Sequence, residues 1–158
     1  MTPPPPAGNL LLNPGFEEGA VSWTSDHADT FETRANARTG TRFAGLNGWG
    51  QVTSFKLDQA FAVPAAVSGA ALSFYLKVLS DETTPNKVYD TLKVQVISGG
   101  VTTTLATYSN LNKSSSYVQK QLDLTAYKGQ SITLRFLGAE DSSLQTLFAI
   151  DDTAVSTS

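Results

Sequence analysis

Ala71-Leu-Ser-Phe-Tyr-Leu-Lys-Val-Leu79 alternates with a period of two: Leu72, Phe74, Leu76 and Val78 fall on one side, Ser73, Tyr75 and Lys77 on the other. Successive strand side chains point to opposite faces, so this stretch predicts a strand with one face buried and one solvated. Working outward, residues 90–97 repeat the scheme with Leu92, Val94 and Val96 inward, and residues 131–137 with Ile132, Leu134 and Phe136. Ser98-Gly-Gly100 marks a hairpin into the threonine-rich stretch 101–108. The stretch 117–124 alternates less cleanly, as an edge strand does, and Ala126-Tyr-Lys-Gly129 turns the chain. Weaker strands are predicted at 22–25, 31–34, 42–46 and 51–57. No helical period is sustained beyond a turn or two. About ten short antiparallel strands in one domain stack as two sheets or close as a barrel, and the commoner outcome is an all-β, two-sheet β-sandwich with jelly-roll topology.

The 158 residues suit one domain, expected at 9–155, between a proline-rich linker at 1–8 and a short tail at 156–158. The linker, Met-Thr-Pro-Pro-Pro-Pro-Ala-Gly, favours extended polyproline geometry and suggests a covalently linked domain upstream. Eleven basic against fourteen acidic residues give a net charge of −3, no footprint for nucleic acid or an anionic membrane. No stretch is apolar enough to insert in a bilayer, and the start lacks the pattern of a signal peptide. With no cysteine, disulfides, thiol nucleophiles and cysteine metal sites are excluded.

The two ends of the domain carry paired acids. Asn9-Leu-Leu-Leu-Asn-Pro-Gly-Phe-Glu-Glu-Gly19 reads as a short strand at Leu10 to Leu12, a Pro-Gly turn, a core phenylalanine and two carboxylates. Leu144 to Val155 reads as an apolar strand interrupted by Asp151 and Asp152. If the first and last strands are neighbours, Glu17 and Asp151 or Asp152 converge on one hard cation, which would relieve their repulsion. The plainer reading is a solvated pair of glutamates.

Four blocks in order resemble the galactose-binding-like jelly rolls, among them family 4, 9 and 22 carbohydrate-binding modules and MAM domains. They are Asn13-Pro-Gly-Phe-Glu-Glu-Gly19 with Trp23, Ala71-Leu-Ser-Phe-Tyr75 with residues 90–96, Asp123-Leu-Thr-Ala-Tyr-Lys-Gly-Gln130 with 132–136, and Phe148-Ala-Ile-Asp-Asp152. The middle blocks are similar to the version appended to secreted bacterial peptidases. The resemblance implies a structural calcium held by Glu17, by backbone carbonyls and by Asp151, with Asp152 the alternate. Where the family has a branched apolar residue after the two aspartates this chain has Thr153, a departure that a bulge in the last strand would absorb.

Sugar-binding members of the group set aromatic rings against pyranose faces, with polar groups beside them. The candidates are Trp49, between the glycines of Asn47-Gly-Trp-Gly50, and Tyr75 and Tyr108, both expected to point away from the core. Asn47, Gln95 and Arg135 are candidate polar contacts, and Trp23 is expected in the core. Catalysis has little support: His27 is the only histidine, reads as a solvated loop residue, and no nucleophile motif accompanies it. Asp26 or Asp29 is a candidate to approach the cation, and Glu82, Asp90, Glu140 and Asp141 are glycosidase acids by type only. Together these readings predict a non-catalytic, calcium-stabilised accessory module of a secreted or cell-surface bacterial hydrolase, binding carbohydrate or another surface ligand. The alternative is a protein-interaction or spacer domain of a peptidase or adhesin. A sugar binder is expected to show two or more coplanar exposed aromatics; a spacer is not.

Overall fold

The computed structural model describes residues 9–27, 30–32, 37–142 and 144–158, so the expected linker, Asp29 and residues 33–34 lie outside it. Among these described residues ten strands follow in order: β1 (Thr24–Ser25), β2 (Phe31–Glu32), β3 (Phe43–Asn47), β4 (Thr53–Ala62), β5 (Ala70–Ser80), β6 (Thr91–Ser98), β7 (Val101–Ser109), β8 (Val118–Asp123), β9 (Ser131–Glu140) and β10 (Thr146–Thr157). They form two antiparallel sheets, ordered β1-β4-β9-β6-β7 and β2-β3-β10-β5-β8. This is the expected all-β sandwich, with β8 on an edge. No helix among the described residues is long and apolar enough to cross a membrane.

The period-two residues make the core. Leu72, Phe74, Leu76 and Val78 of β5 face Leu92, Val94 and Val96 of β6 and Ile132, Leu134 and Phe136 of β9, all buried. Trp23 lies among them as expected, its ring 5.0 Å from Phe16 and 6.5 Å from Phe136, its indole N–H donating to the Asn13 carbonyl at 2.9 Å. Burying apolar area of this extent is the main force holding the sheets together. At the β6–β7 hairpin Gly99 (φ 56°) and Gly100 (φ 80°) supply the two left-handed positions that a tight, twist-matched turn requires.

Two local expectations are corrected. Leu10 to Leu12 is not a strand: side chains take the backbone groups a ladder would use. Asn9 Oδ1 accepts from Leu11 and Val155 amides, each at 3.0 Å, and Gln59 accepts from Leu12 N at 2.8 Å and donates to its carbonyl at 3.0 Å. Leu11 is nevertheless fully buried. Tyr108 points into the sandwich, not outward: β7 pairs Ala106 with Val94 but Thr104 with Gln95, so Leu105 is the extra residue of a bulge and the alternation reverses there. Tyr108 sits opposite Leu92, its ring 6.1 Å from Phe74, and burial pushes its hydroxyl pKa up. Glu140 ends β9 on the inward side and is buried.

A different bulge lies in β10, where the register against β5 shifts between Asp151 and Ala154 and Asp152 takes φ 50°. The irregularity expected beside Thr153 is present. Thr153 N and Oγ1 both donate to the Pro14 carbonyl, at 3.0 and 2.8 Å, which brings the two ends of the domain together.

Candidate functional site

At one end of the sandwich, β3 runs out into Asn47-Gly-Trp-Gly50. Asn47 (φ 68°), Gly48 (φ 88°) and Gly50 (φ 69°) all have left-handed backbone, and this turn throws the Trp49 ring outward, 44% exposed. The turn is held from below by one carboxylate. Glu140 accepts hydrogen bonds from Trp49 N (2.9 Å), Gly50 N (3.1 Å), Thr53 Oγ1 (3.1 Å) and Thr146 N (3.0 Å). A buried acceptor satisfied four times over fixes the loop rather than leaving it to solvent.

Trp49 stands edge-on to Phe55 and to His27, at 5.3 Å each, and His27 stacks flat on Phe55 at 3.7 Å. The expectation of a solvated His27 is therefore corrected. Its Nδ1 lies 2.8 Å from Asp26 Oδ1, which also accepts from Lys56 N at 2.8 Å. Partial burial pushes the Asp26 carboxyl up, but the Lys56 amide and the His27 ring together hold it below the usual range. Asp26 is thus engaged beside Trp49.

Beside Trp49 opens a cleft of about 370 Å³, bordered by Asn47, Phe55, Ser80, Asp81, Gln145 and Leu147 with Gly45, Gly48 and Leu79. Asn47 donates through Nδ2 to Thr53 Oγ1 at 3.1 Å, while its buried Oδ1 is without a partner among the described residues and lies against Gly138, where any Cβ would clash. Behind the cleft, Ser80 Oγ and Thr146 Oγ1 lie 2.7 Å apart, and Thr146 Oγ1 donates to Asp90 Oδ2. Asp90 is fully buried, accepts from Asp141 N at 3.0 Å, and has its carboxyl pushed up by that burial. Carboxylate oxygens of Glu82, Asp90 and Asp141 lie within 4.8 Å of one another. Glu82, Asp90 and Glu140 are all buried and hold backbone amides, so among them no two face each other across an open cleft in the manner of glycosidase acids.

The paired acids at the chain ends meet one loop, residues 38–42. Glu17 Oε1 accepts from Thr41 N at 2.8 Å and Oε2 from Arg42 N at 2.9 Å; the Thr41 amide chiefly holds this exposed carboxyl below its usual range. Asp151, fully buried, accepts through Oδ2 from Arg38 N at 2.8 Å and Thr39 N at 3.3 Å, and through Oδ1 from Asp152 N at 2.8 Å. Burial, and next the negative charge of Asp152, push the Asp151 carboxyl up to about 6. Asp152 is paired with Arg38 Nη1 at 2.9 Å and Thr39 Oγ1 at 2.7 Å. A Cβ at Gly15 would stand 3.5 Å from Asp152 Oδ1, 3.9 Å from Glu17 Cγ and 4.0 Å from Asp151 Oδ1, but among the described residues the acids whose oxygens all lie within 4.8 Å of one another are Glu82, Asp90 and Asp141, not these three. Arg38 balances the charge of Asp152, and Glu17 and Asp151 are each held by backbone amides of the 38–42 loop.

The remaining candidates lie elsewhere. Tyr75 faces outward on β5, but the Arg38 guanidinium covers its ring, 3.4 Å from the centroid. Arg135 donates two hydrogen bonds to Asp58, both 2.9 Å, and pairs across the sheet with Gln95, which donates to Thr104 Oγ1 at 3.1 Å. That polar row crosses four strands on the outer face of the first sheet and is not part of the cleft. Among the described residues Trp49 is the one clearly exposed aromatic, so the coplanar pair expected of a sugar platform is not formed. Sequence reasoning missed Phe55, His27, Asp81 and Gln145 as neighbours of Trp49. It also missed Glu140 as its anchor, although Ile132, Leu134, Phe136, Gly138 and Glu140 continue one inward period.

No protein-family model and no curated protein matches this sequence. Solved structures do. TmCBM61 in complex with β-1,4-galactotriose is 16% identical with a TM-score of 0.70, the match covering 95% of this chain and 99% of that one. The CBM22-1 xylan-binding domain of Paenibacillus barcinonensis Xyn10C is 20% identical with a TM-score of 0.60, covering 96% of each chain. The K1 cleaved adhesin domain of Lys-gingipain from Porphyromonas gingivalis W83 is 16% identical with a TM-score of 0.62, covering 91% of this chain and 96% of that one. Over nearly its whole length the chain shares the fold of these carbohydrate-binding modules and this adhesin domain, an antiparallel two-sheet jelly-roll sandwich.

Proposed function

We propose that this chain is a non-catalytic carbohydrate-binding module whose ligand lies in the cleft against Trp49. The observation that carries this is an exposed indole, fixed by a buried carboxylate, at the rim of a cleft bordered by polar side chains. An open ring covers the apolar face of a pyranose while amide and carboxylate groups take its hydroxyls. The likeness to modules solved with galactotriose or described as xylan-binding supports a glycan ligand. In this reading the module accompanies a secreted or surface-exposed bacterial hydrolase. A structural calcium held by Glu17 and Asp151 ties the first turn, the 38–42 loop and β10 together.

The test is retention of the folded chain on β-1,4-galactan and xylan gels. Trp49→Ala should abolish retention while leaving the melting temperature within about 2 °C, since the ring is largely outside the core; unchanged retention would remove Trp49 from the site. A spacer or protein-interaction role draws on the covered Tyr75 and inward Tyr108, and it predicts no retention of the unmodified chain on either gel.

A further inference from the structure

We infer that the Trp49 cleft takes the end of a neutral glycan, one or two sugar units, rather than the middle of a long chain. This rests on the reading of the cleft as a sugar site. A chain bound along its length meets successive ring platforms, and among the described residues the structure offers one. Tyr75 lies under Arg38, Tyr108 faces the core, and the outer row Asp58, Arg135, Gln95 and Thr104 is closed by its own hydrogen bonds and carries no ring. The cleft is also small: about 370 Å³ is near the lower limit for small-molecule pockets. It lies where strands stop, between the ends of β3 and β5 and the start of β10, beside the Trp49 turn.

Charge narrows the ligand class further. Among the described residues Asp81 is the one charged residue bordering the cleft, and no lysine or arginine does. Buried Asp90 and Glu140 stand behind it, with Glu82 following Asp81 in the chain. A carboxylate accepts hydrogen bonds from two hydroxyls and repels an anionic sugar, more strongly where other acids thin the positive field. The Asp81 amide donates to the Gln145 carbonyl at 2.9 Å, which fixes the two residues beside each other, and their side chains make no hydrogen bond or ion pair among the described residues. Both are therefore open to ligand hydroxyls, with Asp81 the residue that selects against uronates.

The experiment is calorimetric titration of the whole chain with β-1,4-galacto-oligosaccharides and xylo-oligosaccharides of increasing length, and with oligogalacturonates of matched length. For whichever neutral series binds, affinity should level off by the disaccharide, with no more than about a threefold gain to the hexasaccharide, and the uronates should bind at least about tenfold more weakly. Asp81→Asn, an exposed substitution, should narrow the discrimination against uronates to within about threefold. An affinity that climbs about tenfold between two and six units, or uronates that bind as well as neutral sugars, would overturn this inference while leaving the sugar site standing. No heat with either neutral series would overturn the sugar reading itself, and this inference with it.

Discussion

Raising the pH from 4 to 7 in the presence of chelator should destabilise this protein through Asp151, and calcium should restore what is lost. The carboxyl has no solvent exposure and is pushed up to about 6, against an ordinary 3.8, first by burial and then by the charge of Asp152. The folded state therefore holds a proton that the unfolded chain has released in the window between those values. Stability from this group is fully present below about 3.8 and is lost as the pH rises through about 6. The difference of roughly two units corresponds to about 3 kcal/mol, or about 6–12 °C in melting temperature for a domain of this length. Asp90, also fully buried and raised, adds a loss of the same sign, so the comparison that isolates Asp151 is wild type against Asp151→Asn. In chelator the variant should lack the Asp151 share of the decline and be the flatter of the two. With calcium at about 100 times its dissociation constant, wild type should regain about 2.7 kcal/mol at pH 7 and the variant far less. Parallel pH slopes for the two proteins in chelator would refute the buried charge. An equal response of both to calcium would refute ligation by Asp151.

Two further outcomes follow from the geometry. Glu17→Gln should lower the melting temperature in calcium far more than in chelator, because the exposed carboxylate adds little without an ion; thermal scans in the two buffers compare them directly. Glu140→Ala should cost about 3 kcal/mol by urea unfolding, since it leaves the Trp49, Gly50 and Thr146 amides without their acceptor. At urea concentrations where that variant is still folded, acrylamide should quench Trp49 more readily than in wild type, while Trp23 stays protected.

The strands were legible because period-two burial is a property of each segment alone: residues 71–79 show an inward and an outward set whatever they pair with. What the sequence concealed depends on partners. The extra residue at Leu105 is defined only by the offset of β7 against β6, and from that offset Tyr108 turns inward. The Leu10–Leu12 strand fails because Asn9 and Gln59 occupy its backbone groups from the side. By contrast, the meeting of the domain ends was visible, since charges inside an apolar strand require partners, and the 38–39 amides, the Arg38 guanidinium and the Thr153 bond to Pro14 are found there. The candidate site divides the same way. Trp49 stood out because flanking glycines leave a ring uncovered, yet its anchor is 91 residues away. Extending the inward period of β9 by two further steps, past Gly138 to Glu140, places a carboxylate in the core, where it needs several donors. The left-handed turn at 47–50 presents two such donors, the Trp49 and Gly50 amides. The buried acid and the exposed ring are thus two ends of one constraint: the sandwich tolerates Glu140 because the loop satisfies it, and the loop holds Trp49 out because Glu140 fixes it.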